Sequence, residues 1–310
     1  MPDEKNAASR DASRTVSPEP DIGALERALR ARRFAVTAEV SPPVATDAAG
    51  FVAHALPLRG VATAVNVTDG AGARTHMSSL AAAHFLARAG IEPVLQMTCR
   101  DRNRLALQAD LLGAVALGIR NVLLLRGDAP SAGDQPDAKG VFDLGTTDAL
   151  AMAHRMRTER TLPSGVAIAG EVPLVLGAAD TPVDPPADWQ PASLAAKAAA
   201  GADFVQTQFC MDLGVVRRYA ARLLDLGIAQ RLPILIGIAP IPSARSARWM
   251  REKLRGRRSR TRSSSGSSAP PIRRSRASGS ASNCCSSLLR SRASLARTSW
   301  RRASIPRSPK

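Results

Sequence analysis

Three consecutive residues, Arg126-Gly127-Asp128, close an apolar run of Leu and Val and are followed closely by Pro130. An arginine can bind phosphate through two parallel hydrogen bonds, a glycine lets a ligand approach the backbone, and a carboxylate can act on a polar ring. The same tripeptide also fits an Arg-Asp pair that closes a loop. Glu39 ends another apolar run, between Ala38 and Val40. A carboxyl group half buried there beneath a ligand would hold its proton at neutral pH and could deliver it, whereas a solvated strand-end Glu would do neither. Gln206 and Gln208 flank Thr207, so on a strand their side chains share one face. Two amides can read the edge of a heterocycle, and either one alone also fits a buried Gln satisfied by backbone. Lys197, the only charge in SLAAKAAAGA, could reach a diphosphate or stand solvated on a helix. His76, in RTHMSS, fits helix capping better than catalysis.

Such groups act together only if a scaffold brings them to one place. Short β-rich apolar runs alternate here with Ala/Leu-rich stretches of helical period, the pattern of repeated βα units. Strands are predicted over 34–40, 62–69, 92–99, 121–128, 173–179, 204–210 and 233–240. Helices are predicted over 25–33, 77–90, 102–118, 146–157, 193–202 and 213–227. Seven parallel strands separated by helices are one short of a closed (β/α)8 TIM barrel. A doubly wound sheet would place a Gly-rich turn after its first strand, but Ser41-Pro42-Pro43 follows Val40. The expected fold is therefore an α/β barrel with its eighth strand missing from this chain. In that fold the site is lined by polar residues at the C-terminal strand ends. These are Glu39, Thr68-Asp69, Gln96 to Thr98, Arg126-Gly127-Asp128, Gln206 to Gln208 and the segment IAPIP.

The charge of +17 is unevenly spread: residues 255–310 hold 15 of the 43 Lys and Arg and no acid, leaving the preceding part near neutral. The first twenty residues are polar, with Pro and Ser, and lack the apolar core of a signal peptide. No apolar run approaches the roughly 20 residues that span a bilayer. The expectation is a cytoplasmic protein without membrane attachment: a disordered segment over 1–20, one barrel over 21–254 and a disordered tail over 255–310. Four cysteines, two of them in the tail, give no disulfide framework. Cys99 and Cys210 lack CxxC spacing, so no metal site is expected.

The segments TAEVSPP (37–43), VNVTDG (65–70), RTHMS (74–78), LQMTCRDRNR (95–104), LGIRNVLLLRGDAP (117–130), AGADFVQTQF (200–209) and PILIGIAPI (233–241) resemble the methylenetetrahydrofolate reductase family in content and order. GDQPDAKGVFDL (133–144) looks like the flavin-side loop of the subgroup that carries CRDRNR. The resemblance implies an FAD-dependent barrel that reduces 5,10-methylenetetrahydrofolate to 5-methyltetrahydrofolate for methionine synthesis, as a homo-oligomer. By that resemblance Glu39 is the general acid at folate N10. Asp128 is the carboxylate near flavin and pterin, which binds both and stabilises the cationic iminium. Gln208 lies on the pterin face. Thr68, Gln96, Arg126, Gly127, Ala178 and Lys197 fall with the FAD-binding positions. Better-known bacterial members place an aromatic at Asp69, His at Gln96 and Phe near Ala244. These departures leave the electron donor open between NADH, NADPH and a partner protein.

An aldolase barrel would need a lysine at a strand end for Schiff-base work, and no strand end here supplies one. The Arg/Ser tail has the composition of a nucleic-acid arm, and an inactive product with such an arm is the competing reading. Translating the tail in the shifted frame, with free choice of synonymous codons, gives another origin. Residues 259–273 can encode P-D-A-I-I-E-R-L-E-R-A-A-D-P, an acidic amphipathic helix, and residues 297–302 can encode H-L-M-A-P, a buried strand. Both resemble the C-terminal segment of the same family. We therefore read the tail as out-of-frame sequence that binds no specific nucleic acid.

Overall fold

Residues 22–240, with 243 and 244, are described by the computed structural model. Each apolar run forms a strand and each Ala/Leu-rich stretch a helix. The chain runs α1 (Ala24–Arg30), β1 (Thr37–Val40), α2 (Ala48–Ala55), β2 (Ala64–Val67), α3 (Ser79–Arg88), β3 (Pro93–Thr98) and α4 (Arg104–Ala116). It continues with β4 (Asn121–Leu125), α5 (Thr146–Glu159), β5 (Val175–Asp180), α6 (Ala192–Ala199), β6 (Phe204–Phe209), α7 (Leu213–Asp225) and β7 (Ile234–Gly237). The strands are shorter than the apolar runs suggested. Helix α2 was not foreseen; Asp47 caps it by accepting from Gly50 N at 2.9 Å.

All seven strands lie in one sheet in chain order, every pair parallel. The sheet curls with the helices outside it, a partial (β/α)8 barrel. Gln206 on β6 reaches across the lumen to within 3.5 Å of Thr37 Oγ1 on β1. An eighth strand, and both the 1–20 and 255–310 expectations, fall outside the described residues.

Strand alternation sorts the side chains into two apolar layers. Val65, Val67, Leu95, Met97, Val122, Leu124, Leu176 and Val205 face outward and pack under the helices. Ala64, Val94, Leu123, Val175 and Phe204 face inward and fill the N-terminal end of the barrel together with Leu25. Helix α1 thus plugs that end. Its first amides are satisfied by Glu92, which accepts from Leu25 N at 3.0 Å and from Ala24 N, and which also takes Asn121 Nδ2 at 2.9 Å. Gly177, on the inward side of β5, is required by this plug, because a Cβ there would lie 2.5 Å from the Phe204 ring and 2.9 Å from Leu123. With the lower end filled, the opposite end is where a ligand can enter.

Candidate active site

In a parallel sheet all C-terminal strand ends reach one rim, so Glu39, Thr68, Gln96, Arg126 and the two glutamines meet there although they are distant in sequence. Thr37 and Glu39 are the inward residues of β1, and Val40 belongs to the outer layer. Inward side chains of alternate barrel strands share a layer, so Glu39 meets β3: Gln96 Nε2 donates to Glu39 Oε2 at 3.0 Å. Gln96 itself is buried. Glu39 is exposed to the lumen, yet protein crowds its carboxyl group. That burial pushes its carboxyl up from the ordinary value, and the Gln96 hydrogen bond offsets only part of the effect.

Strand β2 contributes a residue that sequence reasoning passed over. Asn66 is the register partner of Glu39, faces inward and is only 4% exposed. Its Nδ2 donates to Ala38 O at 3.2 Å, and its Oδ1 has no partner among the described residues. A polar residue inside AVNV, two positions before Thr68, was the available signal. Thr68 is buried and donates to Ser41 Oγ at 3.0 Å. Asp69, which sequence placed at the rim, is engaged elsewhere. It accepts from Thr98 N at 2.8 Å, Thr98 Oγ1 at 2.9 Å, Ser79 Oγ at 3.1 Å and Arg102 Nη1 at 2.7 Å. Four donors tie it to β3, α3 and the loop before α4.

The end of β4 is built as a ledge. Gly127 has φ +82°, and a Cβ there would lie 3.0 Å from both Thr98 Cβ and Arg100 Cβ, so no other residue fits without displacement. Arg126 is exposed and its guanidinium stands 4.6 Å from the centre of the Phe142 ring. Asp128 is exposed beside it, close enough for its charge to act on Arg100.

The Arg-rich motif 99–104 holds the loop above this ledge. Arg100 is clamped by Asp101 at 2.8 and 2.7 Å and by Gly70 O at 3.1 Å. Arg102 bridges Asp69 and Asp110, both at 2.7 Å. Asn103 caps α4 through Ala106 N at 3.0 Å. Arg104 makes a bidentate pair with Asp143 at 2.8 and 2.9 Å. That pair and the Arg104 backbone N–H lower the Asp143 carboxyl to about 2. With Val141 N on Arg100 O at 2.6 Å and Phe142 N on Cys99 O at 3.1 Å, the loop carrying Phe142 is fixed against the rim.

On the far side, Lys197 reaches from α6 to the end of β5, where Nζ donates to Ala179 O at 2.7 Å. Ala178 has its methyl fully buried in the outer layer. Its side chain therefore faces away from the lumen, and only its backbone lies at the rim. Asp180 takes the hydroxyl of Tyr219, and burial together with that bond pushes the phenol pKa upward. Gln206 lies in the lumen, while a bulge between Gln206 and Phe209 leaves Gln208 exposed, its Oε1 accepting from Phe209 N at 3.0 Å. His76 sits two residues before the α3 N-cap, Ser78, and its Nδ1 pairs with Arg74 O at 3.0 Å, so it is not a cap. A cleft on the opposite, N-terminal face is lined by Arg30, Arg32, Arg120, Arg157 and Arg231. That face of a barrel serves stability.

Among the described residues no group of His, Cys, Asp and Glu could hold a metal ion, and no helix is long and apolar enough to cross a membrane. The rim thus offers an acid with a raised pKa, two cations at neighbouring strand ends, a bare glycine backbone and several amides. It can protonate and orient a polar ring beside an anionic cofactor.

The chain is 32% identical over 164 residues to a probable methylenetetrahydrofolate reductase (NADPH) of Caenorhabditis elegans, covering 53% of this chain and 23% of that one. It spans less than a quarter of that relative's length. Among solved structures, an uncharacterized protein from Clostridium thermocellum that binds two copies of 5-methyl-5,6,7,8-tetrahydrofolic acid superposes with TM-score 0.50 at 13% identity. The superposition covers 73% of this chain and 74% of that one, a likeness of fold. The family model for methylenetetrahydrofolate reductase matches residues 24–255, most of the chain, and the chain therefore belongs to the methylenetetrahydrofolate reductase family.

Proposed function

We propose that the barrel reduces 5,10-methylenetetrahydrofolate to 5-methyltetrahydrofolate with bound FAD. The observation that carries this reading is Glu39. It is a carboxyl group open to the lumen, held by Gln96 at 3.0 Å and with its pKa raised by burial, in a chain of this family. When bound, FAD supplies the hydride. The donor set fits such a cofactor: Arg126 and Lys197 offer positive charge to its diphosphate, and Gly127 presents backbone without a side chain. Thr68 and the Ala178 backbone lie along the same rim.

Glu39 would give its proton to N10 of the folate, which breaks the N10 bond to the bridging carbon and leaves an iminium at N5. A positive charge so formed needs a counter-charge, and Asp128 is the exposed carboxylate just beyond β4. Gln208, exposed at the mouth, suits the donors and acceptors of a pterin edge. The NADPH in the nematode relative's name supports NADPH as the electron donor. NADH or a partner protein remains the alternative, because Asp69 stands where other family members carry an aromatic. The test is anaerobic reduction of FAD-loaded protein followed by addition of methylenetetrahydrofolate. Formation of 5-methyltetrahydrofolate supports the reading, and its absence with flavin bound and reduced would overturn it.

A further inference from the structure

Glu39 must exist in two protonation states, and its surroundings contain one partner suited to each. Gln96 Nε2 is a donor and can serve only an oxygen lone pair; it occupies Oε2 at 3.0 Å. Oε1 carries no hydrogen bond among the described residues. Beside it on the neighbouring strand, Asn66 is the Cα register partner of Glu39, so the two inward side chains start about 5 Å apart. The amide of Asn66 cannot be turned round, because Ala38 O at 3.2 Å is an acceptor and demands its NH2. That fixes Oδ1 as an acceptor without a partner on a side chain that is 4% exposed, an arrangement uncommon in native proteins and one that calls for a physical reason. A protonated Glu39 would supply the missing donor.

We propose that Gln96 and Asn66 are positioning residues that form a two-state cradle for Glu39. The Gln96 N–H holds the carboxylate, and Asn66 Oδ1 accepts the O–H of the acid. When the acid gives up its proton, its bond to Asn66 is lost while the bond to Gln96 strengthens. The cradle therefore aims the proton before transfer and stabilises the anion after it. Among the described residues no charged side chain complicates the balance: Asn66 and Thr68 near β2, Gln96 from β3 and Gln206 from β6 are all neutral, and no neighbouring charge contributes to the shift at Glu39. The inference rests on the acid role of Glu39 proposed above, and its test does not need activity.

The experiment is an infrared titration of the Glu39 carboxyl in the full chain, assigned by subtracting the spectrum of Glu39→Gln. Gln96→Met, of similar length but without the N–H, should move the midpoint upward by roughly one pH unit, the loss of one charge-assisted hydrogen bond. Asn66→Leu should move it downward, because the acid loses its acceptor. Simple loss of polarity would move it upward instead, so the opposite signs are diagnostic. Both variants shifting the same way, or neither shifting, would overturn the cradle. The wild-type protein gives a second reading that needs no variant to fold: the acid form should show the lowered C=O stretch of a hydrogen-bond-donating carboxylic acid, and the frequency of a free acid would refute the Asn66 half. Either failure leaves the folate reaction standing, and a chain inactive on folate would leave these shifts unchanged.

Discussion

In the proposed reaction Glu39 is the proton donor, and the direction of its titration is testable. Burial raises its pKa, so the proton-bearing form is present below that value and lost as pH rises through it. The folate half-reaction should fall across the same window, read by single-turnover rates against pH. The stability effect has the same direction: the folded state holds this proton better than the unfolded chain, so Glu39 costs stability as pH climbs from the ordinary carboxylate range through its raised value. At the same scale, sequence and structure differ instructively. Glu39 and Arg126-Gly127-Asp128 stood out because a charged residue at the end of an apolar strand is conspicuous. Asn66 did not, because its importance lies in an unfilled acceptor, which only a packed neighbour defines. Asp69 looked equally available, yet three hydrogen bonds and an ion pair with partners from 10 to 33 residues away consume it.

At the scale of elements, the rim depends on two pieces of backbone. Gly127→Ala would force a side chain onto a φ of +82° and against Thr98 and Arg100 at 3.0 Å. We expect a loss of about 1 to 3 kcal/mol in urea unfolding, with weakened FAD retention. An unchanged midpoint would show that the ledge yields freely. The loop over the site is pinned by Arg104 and Asp143, whose carboxyl is held near 2. Because that pKa is depressed, the tether is complete above the ordinary Asp range and disappears as pH falls through about 2. Asp143→Asn should release it at neutral pH, seen as faster hydrogen exchange at the Val141 and Phe142 amides; unchanged exchange would mean the backbone bonds suffice. The strands and most helices were legible because periods of two and 3.6 residues survive in the sequence. Helix α2 escaped because its short run follows a Pro-rich turn, although Asp47 marked its start. The Arg-rich motif was legible as a signature and opaque as a device, since its partners Asp69, Asp110 and Asp143 lie on other elements.

At the scale of the whole molecule, the described residues supply seven parallel strands of a partial barrel. The shifted frame of the tail offers H-L-M-A-P as the strand that would close it. We expect the gene repaired near codons 254–258 to yield a soluble yellow protein, and the 310-residue chain to take up less FAD and aggregate, as followed by flavin absorbance and light scattering. Equal flavin content and solubility would remove the frame argument. The most direct test of the account is a stopped-flow comparison of the repaired protein with its Glu39→Gln variant, both loaded with reduced FAD and mixed anaerobically with methylenetetrahydrofolate. Flavin reoxidation should match 5-methyltetrahydrofolate formed in the parent and slow by a factor on the order of 10² or more in the variant, while flavin reduction by NADPH stays nearly unchanged. Equal reoxidation rates in the two proteins would contradict the assignment of Glu39 as the proton donor.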